Sequence, residues 1–368
     1  MEKRREYEIA KIRLSGRSLH RLERLCNAVG VAGDEAEVRK IVLSEVNKPA
    51  SFVRNVQIDA LGNVLVTHNR SAEKRLRVMV AAHMDEVGMM LTQEENGSLF
   101  RFELIGGIDK RALVGKALWI GKEHIPGVIG AKPIHFVTSK DDLKNPIPVE
   151  ELRIDISPGS KGKVKVGDRA TFATTFQKSG PSLQAKALDD RLGVALLLEL
   201  LQMNFTNIDL MAAFTVQEEV GLRGAGVAAY ALQPDIAIVI DCTPAYDQPN
   251  WEDEKNQADE SPKYNSRLGE GAAIYVADGR TFSHPRLVRF FVDTAERLHI
   301  PYQIRQPGGG GTDAGAIHLQ RAGIPTISIS VPARYTHTAA SLARQSDWEN
   351  TLALVGSGLA QLTPELMK

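Results

Sequence analysis

Four short apolar runs, Leu76 to Ala82, Leu210 to Val216, Asp235 to Ile240 and Thr326 to Val331, constrain the fold of this chain more than any other feature. They read as core strands, and the first is close to continuously apolar, the pattern of a strand covered on both faces rather than on one. Leu192 to Met203 is nearly all apolar and reads as a helix that must itself be buried, with Asp189 and Asp190 favoured by the dipole at its start. Pro285 to Leu298 reads as a further helix. Strand and helix alternate through this half, so the economical fold is α/β, a central mostly parallel sheet flanked by helices.

The other half has a different texture. Leu19, Leu22, Leu25 and Ala28 recur at helical spacing, and a second helix is expected from Asp34, whose carboxylate would cap it with Glu37 reaching back. Phe52 to Ile58 and Val64 to Thr67 read as strands around the turn Ala60-Leu61-Gly62-Asn63. From about Met89 to Phe176 come short alternating pieces punctuated by Gly106-Gly107, Pro126-Gly127, Pro133, Pro158-Gly159 and Gly167-Asp168. Such punctuation marks a small β-rich domain inserted at 89–176, which leaves 1–88 and 177–368 as one discontinuous catalytic domain. Pro244 to Gly271 is polar, charged and poor in aliphatics, as an exposed loop or lid would be.

Bulk numbers exclude more than they select. At 368 residues, 43% of them hydrophobic, the chain can bury a large core. Its 45 basic residues balance 45 acidic ones, so no overall field recruits nucleic acid or an anionic membrane. Cys26 and Cys242 are too few for a disulfide framework or a thiolate zinc site and fit a reducing compartment. The first fifteen residues are charged and lack the apolar core of a signal peptide, and no run approaches the length of a membrane span. A cytoplasmic location is the expectation.

Chemistry-bearing residues close the apolar segments. His83 ends the first strand, and residues i and i+2 of a strand share a face, so Asp85 can orient the imidazole or the substrate. Asp189 and Asp190 cannot both face one site from a regular strand; one is expected to bridge and the other to bond its surroundings, and plain capping of the following helix is the bland alternative. Glu218 and Glu219 precede a small, flexible stretch and can divide labour, one binding metal and the other taking a proton from water, or they form a solvated acidic turn. Asp241 closes another strand, where ligands cluster in open α/β sheets, and His337 follows a fourth. Each has a bland reading as a cap or core residue. Two imidazoles and a spaced set of carboxylates are nevertheless what two divalent ions about 3.5–4 Å apart require, and oxygen and nitrogen donors of this kind accept zinc, cobalt or manganese.

Other features carry less. Gly308-Gly309-Gly310-Gly311-Thr312-Asp313 lacks the Lys-Ser/Thr ending of a phosphate loop and reads as a place where backbone approaches substrate. His20, His68, His124, His135, His284, His299 and His318 have no comparable context. A glycosidase would leave the two histidines without a task, and a serine hydrolase would need a G-x-S-x-G elbow that the chain lacks.

Ala82-His83-Met84-Asp85-Glu86-Val87-Gly88, Ala187-Leu188-Asp189-Asp190-Arg191-Leu192-Gly193, Gln217-Glu218-Glu219-Val220-Gly221-Leu222-Arg223-Gly224-Ala225, Gly311-Thr312-Asp313-Ala314 and Arg334-Tyr335-Thr336-His337 together resemble the M42 family of metallo-aminopeptidases. That family includes the glutamyl and tetrahedral aminopeptidases. The resemblance runs in order over nearly the whole chain and extends to Gly106-Gly107-Ile108-Asp109 and Gly127-Val128-Ile129-Gly130-Ala131-Lys132-Pro133. It implies that Asp189 bridges two metal ions, that His83 and Asp241 complete one site, and that Glu219 and His337 complete the other. It makes Glu218 the general base and Asp85 the partner of His83. It also implies peptide substrates and an inserted domain that serves assembly into dimers and a dodecamer. The chain departs from the pattern in its longer charged stretch after Asp241 and in its N-terminal extension. The rival readings are a related two-metal amidase or carboxypeptidase, and a non-catalytic assembly protein on the same scaffold.

Overall fold

Two helices lead into the sheet. Ser15 and Ser18 form a reciprocal capping box at the start of α1 (Gly16–Asn27), which buries Leu22, Leu25 and Cys26. The second helix, α2 (Ala36–Val46), departs from expectation at its cap. Glu35 precedes it without a side-chain cap, because the Glu35 carboxylate turns back to accept the Gly33 amide at 2.6 Å, and Asp34 has no capping role. This computed structural model describes residues 8–48, 55–67, 75–137, 145–248 and 266–367. The first three residues of the strand expected at 52–58, His68, and most of the polar stretch 244–271 lie outside them.

β1 (Asn55–Ile58) and β2 (Val64–Thr67) form a hairpin, and β3 (Leu76–His83) is the first central strand. Asp59 closes the hairpin turn by accepting the amides of Leu61, Gly62 and Asn63. Then β4 (Gly88–Glu95), β5 (Leu99–Ile105), β6 (Ala117–Ile120), β7 (Ile125–Gly130), β8 (Arg153–Ile156) and β9 (Arg169–Phe172) close into a barrel in the order β4-β5-β8-β7-β6-β9. The barrel has its own core, in which Met89, Leu91, Phe100, Phe102, Leu118 and Phe172 are buried. Closure pairs every strand on both sides and removes free edges.

The chain returns to the large sheet through β10 (Gln177–Ser179), β11 (Ser182–Ala185) and α3 (Leu188–Leu200). It continues with β12 (Ile208–Thr215), α4 (Arg223–Leu232), β13 (Ile236–Pro244), β14 (Ala272–Tyr275) and α5 (Pro285–Leu298). β15 (Tyr302–Arg305), α6 (Ala314–Ile317), β16 (Thr326–Arg334), β17 (Ser341–Arg344) and α7 (Gln345–Leu359) follow. Eleven strands make one mixed sheet in the order β1-β2-β12-β3-β13-β16-β17-β11-β10, with β14 and β15 joined beside β16. Parallel pairing is concentrated at the centre, β12-β3-β13-β16, and recurs between β14 and β15; β2, β14 and β17 border the four central strands in antiparallel register. β1 and β2, β10 and β11, and β16 and β17 are each joined by a hairpin or short return, which gives antiparallel pairing where a helical crossover would give parallel.

The lack of alternation in the apolar runs has a direct cause. Val78, Val80 and Ala82 of β3 face one core with Leu210, Ala212 and Phe214 of β12 and Ile236, Ile238 and Ile240 of β13. The residues between them, Met79, Ala81, Met211, Ala213, Ala237 and Val239, face the other. Helices α1, α2, α3, α5 and α7 supply the first core, while α4 and α6 supply the second, whose many alanines let α4 lie close to the sheet. Each large aliphatic side chain so buried contributes about 1.5–3 kcal/mol over exposure. Among the described residues no helix is long and apolar enough to cross a membrane.

Candidate metal centre

All four central strands run in one direction and end at one edge, and four of the expected site segments lie at that edge. His83 is the last residue of β3 and is paired in register with Thr215, the last of β12, with Glu218 and Glu219 three and four residues beyond. Asp241 lies opposite Ser330, and His337 follows β16 by three residues. The parity that sends Met79 and Ala81 to the second core continues to His83, as Ala237 and Val239 continue to Asp241. Asp189 approaches from the start of α3.

Asp189 is the centre of this arrangement. Its Oδ1 is 3.2 Å from His83 Nε2, and its Oδ2 is 3.6 Å from His337 Nε2. His83 Nε2 also stands 3.8 Å from Asp241 Oδ1, and His337 Nε2 stands 3.4 Å from Glu219 Oε1. The ligand atoms of Asp189, Glu219 and His337 fall within 4.8 Å of one another, as do those of His83, Glu218 and Glu219 and those of His83, Asp190 and Asp241. The ring atoms on the far side are occupied. His83 Nδ1 lies 3.2 Å from the Asp85 carbonyl oxygen and His337 Nδ1 lies 3.0 Å from that of Gly107. An Nδ1–H donated to each carbonyl fixes the ring so that each Nε2 faces the acids, and loss of the Nε2 proton would give the tautomer a metal ligand needs.

The adjacent aspartates divide. Asp190 Oδ1 accepts the Gly193 amide at 2.9 Å and Oδ2 the His83 amide at 3.3 Å, so capping belongs to Asp190, while Asp189 faces the imidazoles. Asp85 is fully buried, and its carboxylate accepts the amides of Glu218 at 3.0 Å and Glu219 at 3.1 Å as well as standing 3.6 Å from His83 Nδ1. It therefore holds the acid pair as well as the imidazole. Asn63 holds the same turn from the other side, accepting the Val216 amide at 2.9 Å and donating to the Gly224 carbonyl at 3.0 Å. Gly224 admits no side chain, since a Cβ there would come within 2.3 Å of Asn63 Oδ1 and 2.4 Å of the Val216 oxygen.

The electrostatics show what the cluster lacks. Burial, together with neighbouring acids, pushes the carboxyl groups of Glu218, Asp190 and Asp241 well above their usual range and Glu219 up to about 7. Burial would raise Asp189 too, but hydrogen bonds from His337 and His83 hold it below the usual range. Burial opposes the charge on His337, yet Asp189 and Glu219 keep its pKa up at about 10, and His83 is raised by Asp189 and Asp85 in the same way. Such a concentration of buried acid costs free energy unless cations neutralise it. The donor set of carboxylate oxygens and imidazole nitrogens fits divalent ions.

A cavity of about 910 Å³ opens beside these residues. His83, Asp189, Glu218, Asp241 and His337 line one side, and Tyr246, Tyr275, Arg305 and Gly308 to Gly311 line another. The glycine run is thus at the cavity, as its small size implies. Arg305 is buried, its guanidinium 4.2 Å over the Tyr275 ring, with Nε 3.3 Å from Thr243 Oγ1 and Nη2 donating to the Gly309 carbonyl. Thr215 donates to Asp313, which sits next to the glycine run and is 1% exposed. Reasoning from sequence gave no role to Asn63, Gly107, Arg305 or Asp313; only the punctuating glycine pair 106–107 and the Gly-Thr-Asp ending signalled two of them. The described histidines without context remain outside the cluster, with His20 beside Glu23 and His124 beside Glu37.

A set of buried acids and two oriented imidazoles, at the carboxyl edge of an α/β sheet and open to a substrate-sized cavity, defines a candidate metal-dependent hydrolase. The family described as M42 glutamyl aminopeptidase matches residues 62–354. The lysyl aminopeptidase of Pyrococcus furiosus is 30% identical, over 93% of this chain and 97% of its own length. An aminopeptidase from the archaeon Desulfurococcus kamchatkensis is 31% identical and superposes with a TM-score of 0.87, over 96% of this chain and 97% of that one. The TET1 peptidase of Pyrococcus horikoshii, which can assemble into a tetrahedron or a large octahedral shell, is 30% identical with a TM-score of 0.79, over 94% of this chain and 100% of that one. This chain belongs to the M42 peptidase family. It is a hydrolase acting on peptide bonds.

Proposed function

We propose that the chain is an aminopeptidase that removes N-terminal residues from peptides at a two-metal centre. Asp189 would bridge the ions, His83 and Asp241 would complete one site, and Glu219 and His337 the other. The observation that carries this reading is that the two oxygens of Asp189 face two different imidazoles, at 3.2 and 3.6 Å. When bound, paired divalent ions lower the pKa of water and polarise a carbonyl, and zinc, cobalt and manganese all suit these donors.

Glu218 is the proton carrier of this proposal. It belongs to one of the three ligand groupings and lines the cavity, and burial raises its proton affinity above that of an ordinary carboxylate. It takes a proton from the attacking water and delivers it to the departing amine, the two transfers that amide hydrolysis needs. Asp85 holds the Glu218–Glu219 turn and orients His83.

Residues 89–176 form the inserted domain of this proposal, serving homo-oligomeric assembly, and 1–88 with 177–368 form the catalytic domain. A dodecamer with enclosed sites would restrict substrates by size. The buried free thiols Cys26 and Cys242 support a reducing, cytoplasmic setting. The test is Glu218→Gln, assayed with free-amino and N-blocked amino-acid anilides. The variant should keep both ions and lose turnover, and the parent should cleave only the free-amino series. An active Glu218→Gln enzyme, or cleavage of blocked substrates, would overturn the reading.

A further inference from the structure

We infer that Glu86 is a positioning residue for the metal-binding acids, acting through a buried ion triad with Lys186 and Arg191. This inference rests on the metal-site reading above. Glu86, Lys186 and Arg191 are 2%, 1% and 0% exposed. Lys186 Nζ donates to both carboxylate oxygens of Glu86, at 2.8 and 2.9 Å, and to the Ala28 carbonyl at 2.7 Å, which uses all three of its hydrogens. Arg191 donates Nη2 to Glu86 Oε1 at 3.2 Å and Nη1 to the Leu25 carbonyl at 3.1 Å.

The places these residues hold in the chain make the triad more than a core ion pair. Lys186 is three residues before Asp189 and Arg191 is two after it, so a single carboxylate anchors both flanks of the turn that carries Asp189. Glu86 is three residues after His83 and one after Asp85. The triad therefore staples the His83 segment to the Asp189 segment beside the 3.2 Å approach of His83 Nε2 to Asp189 Oδ1. A small cavity lined by Glu86 and Lys186 is also lined by Asp189, Glu219 and His337, which puts the triad directly behind the second ligand group.

Glu86 reaches two further parts of the fold. Thr171, on barrel strand β9, donates to Oε2 at 2.7 Å, and the Gly30 amide donates to Oε1 at 3.0 Å. Gly30 makes this approach feasible, since a Cβ there would lie 2.7 Å from Arg191 Nη2. The barrel also supplies the Gly107 carbonyl that receives His337 Nδ1. Glu86 is thus the point at which the barrel, the N-terminal helical region and both ligand-bearing segments meet. Two cationic side chains on one carboxylate lie next to the clustered acids Asp189 and Glu219, which adds an electrostatic reason for the triad to lie there.

The test uses the full chain and zinc, with affinity read by competition against a chromophoric chelator, and kcat and KM on an amino-acid anilide as a second readout. Glu86→Gln removes the counter-charge; Glu86→Asp keeps the charge and shortens the reach. Both should weaken zinc binding roughly 10- to 100-fold, the range for groups that orient metal ligands, and should lower kcat more than they change KM. If Glu86→Gln fails to fold, Thr171→Val removes the barrel contact alone and should weaken zinc binding in the same sense. A purely structural role predicts a lower melting temperature with unchanged zinc affinity in the folded variant. Folded variants that bind zinc as the parent does would overturn the inference, while a parent that binds no zinc would instead overturn the metal-site reading.

Discussion

Replacing Asp85 by alanine tests how the Glu218–Glu219 pair is held. The side chain is fully buried and accepts the amides of Glu218 and Glu219 at 3.0 and 3.1 Å. Alanine leaves both N–H groups without that partner, and a deserted buried donor costs about 1–3 kcal/mol. The sum, about 2–6 kcal/mol, is offset by removal of one negative charge beside Glu218 and Glu219, so a loss of about 2–3 kcal/mol is expected. Asparagine can accept only one of the two amides and should lose about half as much. With the turn released and His83 less constrained, kcat/KM should fall roughly 10- to 100-fold. Urea unfolding of the metal-free proteins and initial rates on free-amino anilides supply the two numbers. An Asp85→Ala protein within about 0.5 kcal/mol of the parent, the range of inert surface changes, and with unaltered kcat/KM would refute the account.

Asp189→Ala should lose metal and activity together, because the two Asp189 oxygens lie 3.2 and 3.6 Å from the two imidazoles; retention of two ions, counted by elemental analysis after dialysis, would contradict the bridging assignment. Asp347 gives a prediction for pH. Burial raises its pKa to about 6, although the amides of Gly269 and Gly271 bond its carboxylate. The folded protein therefore binds this proton more tightly than the unfolded chain, whose value is near 3.8. Its contribution to stability is fully present below about pH 4 and is lost as pH rises to about 6, some 3 kcal/mol in all. Asp347→Asn should remove that part of the slope in urea unfolding between pH 4 and 7, and an unchanged slope would contradict it.

Local pattern marks the strands and the polar residues that close them because both obey local rules. An apolar run covered on both faces shows in any window of eight residues, and a polar residue at its end stands out, as His83 and Asp241 do. The division between Asp189 and Asp190 was foreseen as a division, but which residue turned away depended on the Gly193 and His83 amides. What stayed hidden was the set of contacts between remote segments. Asn63 lies 153 residues from the Val216 amide it accepts, and Gly107 lies 230 from His337. The cap of α2 failed for a different reason. The helix begins at Ala36 with Glu35 at the cap position, so Asp34 lies one residue too early to cap it. Likewise the antiparallel pairing of β17 on β16 follows from a short return, which apolar content alone does not reveal.

Because the candidate centre gathers groups from the ends of several strands, its members are spread along the chain from His83 to His337, 254 positions apart. Synthesis runs from the amino end, so for most of its making a nascent chain carries one of the two imidazoles of this centre and acquires the other late. Contacts of such long range also form slowly, since loop closure precedes them. A chain that is unfinished or misassembled therefore lacks a complete donor set, and cutting power arrives only with the finished fold. Proteolytic competence is in this sense gated by folding.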